Sequence, residues 1–336
     1  MKVVIAPDSF KESLTAVQAA EAMARGVRRA DESAVIDQCP IGDGGEGTVA
    51  ALVAATGGET RARSVHGPLG EKVNATWGLI DADQTAVIEM AEAAGLHLVP
   101  DDRRDPTRTT TYGVGELIVA ALDAGVRRII LGIGGSATND GGAGMAQALG
   151  VKFTDRRGQP CAGGLAGGGL SAVAAIDLDG RDKRLNDVEL LVACDVDNPL
   201  TGEEGAARTY APQKGASESQ VEQLDEALGH LASLIDHVDP RTPGAGAAGG
   251  LGFGLIAFAG AKLTSGIDLV LDAVDFDARL RDADLCLTGE GKLDGQSLRG
   301  KAVGGVVRAA GKHDVPVIAV AGTVDAAANR LLDEGL

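Results

Sequence analysis

Aromatic residues make up only 2% of this 336-residue sequence, as one Trp, two Tyr and five Phe. A core without aromatic bulk must be filled by closely packed Val, Ile, Leu and Ala, which suits helices on a sheet better than two facing sheets. Cysteine is equally sparse. Cys39, Cys161, Cys194 and Cys286 are widely spaced with no C-x-x-C pair, which excludes a disulfide framework or zinc knuckle and fits a reducing, cytoplasmic setting. No run approaches the roughly 20 apolar residues of a membrane helix, and the opening VVIA is too short for a signal-peptide core. Lys and Arg number 31 against 48 Asp and Glu, and the net charge of −17 opposes nucleic acid and anionic membranes at long range. The five histidines show no ligand spacing, and neither a G-x-S-x-G elbow nor an H-E-x-x-H pair occurs. The expectation left is a soluble protein acting on a small molecule.

Glycine, by contrast, is abundant: 49 residues without a collagen period, many of them gathered in four blocks. Residues 132–145 read GIGGSATNDGGAGM; the others are IGDGGEG at 41–47, PGAGAAGGLGFG at 243–254 and TGEGKLDGQS at 288–297. Glycine turns free backbone N–H groups for phosphate. Ser136, Thr138 and Asn139 add side-chain partners, and Asp140 repels a bare phosphate but suits a Mg²⁺ riding on one. This predicts ATP or phosphate contacts at Gly134, Gly135, Ser136, Thr138, Asn139, Gly141 and Gly142. The block also fits the dinucleotide pattern G-x-G-x-x-A, with Asp155 as ribose-binding acid, or a plain structural turn. Residues 295–302, GQSLRGKA, miss the G-x-x-x-x-G-K-[ST] phosphate loop at Ala302, which has no hydroxyl for Mg²⁺; Lys301 stays a candidate phosphate contact.

Apolar runs at 2–6, 34–40, 126–133, 188–193, 283–288 and 315–321 have the character of buried strands, and helices are expected at 15–29, 48–55, 112–124, 217–237 and 302–311. Between 59 and 90 the pattern alternates around GPLG and DAD, which predicts antiparallel strands. The fold class is therefore α/β: a Rossmann-like parallel-sheet domain formed by both chain ends, 1–60 plus 268–336, with an inserted α/β domain, 61–267, containing antiparallel strands.

Ligands of open α/β sheets gather beyond the carboxyl ends of the strands. There the sequence puts Asp8, Ser9 and Lys11, then Asp43 and Glu46, then Glu290, Lys292 and Asp294, with Thr323 and Asp325 after the last strand. The insert adds 136–140 and 195–198. Carboxylates, lysines and glycine turns are the parts of a phosphoryl-transfer site. The expected roles are Asp195 as base and Lys11 as the cation on the transferring phosphate or anionic substrate. Asp43, Glu46 and Asp140 are expected to hold Mg²⁺, Lys292 and Lys301 the phosphates, and Ser9, Lys11, Asn198 and Lys214 the substrate.

Ten blocks in order carry a resemblance over nearly the whole chain. They are APDSFKESLTA (6–16), GDGGEGT (42–48), GPLGEKVNA (67–75), GVGELI (113–118), GIGGSATNDGGAGM, CDVDNPL (194–200), PQKGA (212–216), PGAGAAGGLGFG, SGIDLVLD (265–272) and TGEGKLDGQS. The sequence resembles the bacterial two-domain glycerate kinase family. That resemblance implies ATP and Mg²⁺ as co-substrates and transfer to the 2-hydroxyl of D-glycerate, giving 2-phospho-D-glycerate and ADP; it assigns no catalytic base. Transfer to the 3-hydroxyl, an NAD-dependent glycerate oxidoreductase and a non-catalytic metabolite-binding protein are the alternatives. Family members usually continue past the position of Leu336 through a further strand and helices, so the Rossmann-like domain is expected to be shortened after the helical stretch at 326–332.

Overall fold

The computed structural model describes residues 1–11, 13–82, 84–295, 301–329 and 336. In chain order the strands are β1 (Lys2–Pro7), β2 (Val35–Gln38), β3 (Glu59–His66), β4 (Lys72–Ile80), β5 (Thr85–Glu89) and β6 (Arg128–Gly132). They continue as β7 (Lys152–Asp155), β8 (Val173–Asp177), β9 (Glu189–Ala193), β10 (Lys262–Thr264), β11 (Leu285–Leu293) and β12 (Val317–Val324). The chain divides into two compact units: Met1–Thr60 with Gly78–Ala82 and Thr264–Leu336, and Arg61–Trp77 with Asp83–Leu263.

The first unit is built on a four-stranded sheet in the order β12-β11-β1-β2, parallel at each pairing. β1, KVVIAP, is buried from its second residue on, as expected of a central parallel strand covered on both faces. The helix Ala16–Ala30 begins in a capping box, with the Thr15 hydroxyl accepting from Gln18 N and the Gln18 side chain accepting from Thr15 N. Its Ala20 and Ala24 pack on Val3 and Ile5, where small side chains let helix and sheet approach closely. Arg279 braces this unit, donating to Val274 O at 2.8 Å and Ala55 O at 2.7 Å and pairing with Asp37 at 2.5 Å. Cys39 and Cys286 are fully buried, and burial pushes both thiols up to about 12. In the second unit Cys161 and Cys194 are partly exposed.

The block TGEGKLDGQS is not the loop that its glycines predict. β11 runs on to Leu293, paired with β12 through Lys292↔Thr323 and Leu293↔Val324, so Glu290, Lys292 and Thr323 stand on strands. The glycines serve close approach instead: a Cβ at Gly289 would lie 2.1 Å from Val320 O, and one at Gly322 2.7 Å from Gly291 O. Residues 296–300 of the GQSLRGKA stretch lie outside the described residues. Of the helix expected over 326–332, Ala326–Asn329 form a 3₁₀ turn, and residues 330–332 also lie outside the described residues.

The second unit holds a six-stranded sheet in the order β10-β9-β6-β5-β4-β3. β5, β6 and β9 are parallel and in register through Glu89↔Gly132 and Gly132↔Ala193. A separate pair, β7 and β8, is antiparallel. The helix Glu218–Ser233 starts in a second capping box, Ser217 with Gln220, and stops short of the expected His237. Its Leu224, Leu228 and Leu231 enter a core containing Phe153 and Phe258, whose rings meet edge to face at 5.7 Å. Asp155, the acid of the dinucleotide reading, closes a turn after β7 by accepting from Arg157 N and Gln159 N. No helix among the described residues is long and apolar enough to cross a membrane.

Candidate functional site

In the first unit the carboxyl edge of the parallel sheet gathers charge. Asp8 follows β1; its N–H donates to Gly289 O at 2.9 Å and its carboxylate accepts from Ser9 N at 2.6 Å. Its pKa is pushed up to about 7 by burial and by the negative charges of Asp43 and Glu290, while Lys11 and the Ser9 hydrogen bond pull it down. Asp43 sits in an Asx turn, accepting from Gly45 N at 3.1 Å, just before the helix Thr48–Thr56. Gly42 has no room for a side chain, because a Cβ would meet the Thr48 hydroxyl at 2.6 Å, and that hydroxyl accepts from Gly44 N. Glu46 and Lys11 are exposed. Lys292 pairs with Asp294 at 3.6 Å, and Lys301 precedes the helix Ala302–Gly311.

In the second unit the glycine turn after β6 divides into two parts. Gly134 and Gly135 are exposed, Gly135 with φ 72°, whereas Ser136 to Gly142 are buried. Asp140 is 0% exposed and accepts from Thr111 N at 2.7 Å, the Thr111 hydroxyl at 2.8 Å, Gly142 N at 3.0 Å and Gly144 N at 3.3 Å. Burial raises its pKa, and those four donors oppose the rise. The Lys214 ammonium, on a side chain 2% exposed, donates to Thr138 O at 2.5 Å and to Ser136 Oγ at 3.2 Å. Burial lowers its pKa to about 7, against the pull of Asp140. Both polar atoms of the Asn139 side chain are buried without a hydrogen-bond partner.

This geometry departs from the expected phosphate cradle in physical detail. Gly141 and Gly142 make room: added Cβ atoms would lie 2.6 Å from Leu231 and 2.9 Å from Gly254. Asp140, expected on Mg²⁺, is enclosed by backbone and hydroxyl donors with no surface. Lys214, expected on the substrate, is turned inward onto Ser136 and Thr138. Asn198 is likewise occupied, donating to Glu204 O at 2.7 Å and accepting from the Tyr210 hydroxyl at 2.7 Å. Asp195, just beyond β9, is exposed. Among the described residues no three His, Cys, Asp or Glu side chains are arranged to hold a metal by themselves.

Sequence reasoning missed Thr109, Thr110 and Thr111, all buried. Their hydroxyls bind Ala137 O, Leu165 O and Asp140. Three consecutive threonines before an apolar helix were the available signal.

A model of the glycerate kinase family matches residues 3–336. The chain belongs to the glycerate kinase family. A glycerate kinase of Bacillus subtilis (strain 168) is 52% identical, with 100% of this chain and 88% of the relative covered. A glycerate 2-kinase of Escherichia coli (strain K12) is also 52% identical, over 96% of this chain and 86% of the relative. A crystal structure from Salmonella typhimurium LT2, assigned to glycerate kinase 2, superposes with a TM-score of 0.91 at 48% identity, covering 100% of this chain and 95% of that one. This glycerate kinase family member is thus a kinase with the mixed α/β fold of that structure, and the oxidoreductase alternative has no counterpart among these relatives.

Proposed function

We propose that this kinase transfers the γ-phosphoryl group of ATP, taken with Mg²⁺, to the 2-hydroxyl of D-glycerate, releasing ADP and 2-phospho-D-glycerate. The supporting observation is the gathering of Asp8, Asp43 and Glu290 with Lys11 at the carboxyl edge of the first unit's parallel sheet, in a family whose relatives are glycerate kinases. The donor set suits Mg²⁺, which needs only one or two protein carboxylates beside phosphate oxygens and water. When bound, the ion would neutralise charge on the phosphate oxygens.

In this reading Asp43 and Glu46 hold the ion. Lys11 meets the negative charge of the transferring phosphoryl group, and Ser9 contacts the substrate. Lys292 and Lys301 serve the outer phosphates, and the exposed backbone of Gly134 and Gly135 lines the nucleotide. Asp195 accepts the proton of the attacking hydroxyl, a contribution of about 10²- to 10⁴-fold in rate. Asp140, Asn198 and Lys214 are reassigned from ligand contacts to the internal support of the second unit.

A coupled assay of ADP release from Mg·ATP and D-glycerate tests the reaction, and phosphorus NMR of the product tests the position. A phosphate on the 2-oxygen couples to one carbon-bound proton and gives a doublet. A triplet would move the reaction to the 3-hydroxyl, and folded protein without D-glycerate-stimulated ADP release would overturn the proposal.

A further inference from the structure

Three unfavourable features meet in one small region of the second unit. The Lys214 ammonium is buried, where a charge is held only with close partners. The Asn139 amide is 0% exposed with neither polar atom satisfied, an exception among buried polar groups. Ala248 holds a left-handed backbone, φ 53° and ψ 38°, which L-residues other than glycine, Asn and Asp rarely adopt. They belong to one packed assembly. Ser136 Oγ donates to Ala248 O at 3.3 Å, Gly141 N donates to Gly249 O at 3.1 Å, and a Cβ on Gly249 would sit 2.0 Å from Thr138 O. Converging costs of this kind persist where the surrounding structure over-determines them and the arrangement is used.

Lys214 occupies the centre. Its two bonds fix the residues on either side of Ala137, and Thr138 N in turn donates to Ser136 Oγ at 3.1 Å. With Thr138 held from both its N–H and its carbonyl, the next residue, Asn139, has its backbone set while its side chain keeps its full hydrogen-bonding capacity. We propose that Lys214 is a positioning residue for phosphoryl transfer, its ammonium holding Ser136 and Thr138 and, through them, the exposed backbone of Gly134 and Gly135 that leads into them. This rests on the kinase reading above and deepens it. It also separates function from stability, because Lys214→Met removes a charge whose burial opposes folding, which offsets the donor that Thr138 O loses.

The test compares Lys214→Met, Lys214→Arg and Lys214→Gln with the full-length protein, using Mg·ATP and D-glycerate. Lys214→Met is expected to melt at or above the wild-type temperature and to exchange backbone amide hydrogens faster over residues 133–142. Its kcat should fall by about 10²-fold or more, the scale of a misplaced reacting group, with KM values within about threefold. Lys214→Arg restores part of kcat. Wild-type exchange and wild-type kcat in Lys214→Met would overturn the inference, and so would a melting temperature that falls in step with activity. Should Lys214→Met fail to fold, Lys214→Gln carries the same outcomes. If the wild type itself shows no glycerate-stimulated ADP release, the kinase reading fails on its own, and hydrogen exchange still decides whether Lys214 fixes the turn.

Discussion

Thr111 binds Asp140 twice, through its backbone N–H at 2.7 Å and its hydroxyl at 2.8 Å, and the same hydroxyl accepts from Met145 N at 2.9 Å. The carboxylate ties the segment before one helix to the turn before the next. Asp140→Asn sets an amide N–H₂ against backbone donors and leaves at least one buried group unpaired. A loss of about 1–3 kcal/mol in urea denaturation is expected, with the Mg²⁺ dependence of the remaining activity unchanged. Wild-type stability with a shifted Mg²⁺ requirement would return Asp140 to the role of a metal ligand.

Arg279 makes a second prediction. Its guanidinium reaches Val274 O, Ala55 O and Asp37 at once, a set that one ammonium cannot span. Arg279→Lys should therefore destabilise the first unit by about 1–3 kcal/mol despite the kept charge. Thermal melting measures this, and an unchanged midpoint would show that the three bonds contribute nothing net.

The stability effect of Lys214 should depend on pH in a stated direction. Its pKa is lowered by burial to about 7 in the folded chain from 10.5, so between those values the unfolded state binds more protons and stability rises with pH. Below about pH 7 the full cost of burying the charge is present. Lys214→Met should consequently gain most over the wild type near pH 6 and lose that advantage as pH approaches 10. A gain independent of pH, measured by denaturation at several pH values, would refute a buried-charge origin.

Asp43→Asn and Asp195→Asn should fail in different ways. The first is expected to raise the Mg²⁺ concentration needed for half-maximal ADP release by about tenfold or more, since one charged oxygen ligand is lost. The second should lower kcat by about 10²- to 10⁴-fold at unchanged nucleotide affinity. Near-normal turnover in folded Asp195→Asn would place the base elsewhere.

Local signals were readable where one residue type has one use. The continuous apolar run of β1 and the Thr15–Gln18 capping box follow from spacing alone. Glycine has at least three uses, and sequence does not separate them. Gly135 supplies a left-handed turn, Gly142 room beside Gly254, and Gly289 close approach to Val320. The same limit applies to Asp140 and Asn198, whose availability depends on distant partners, Thr111 and Tyr210. A carboxylate or amide looks like a ligand contact until the fold shows what already occupies it.

The placement of the four thiols gives the protein an internal clock. Burial raises the pKa of all four thiols, but Cys39 and Cys286 belong to the first unit at 0% exposure, whereas Cys161 and Cys194 belong to the second and are partly accessible. Since the thiolate is the reacting form, iodoacetamide should modify the second pair in the native protein and the first pair only as that sheet opens. One mass spectrum over time then dates the opening of the β1 sheet against a reference inside the same chain, with no engineered label.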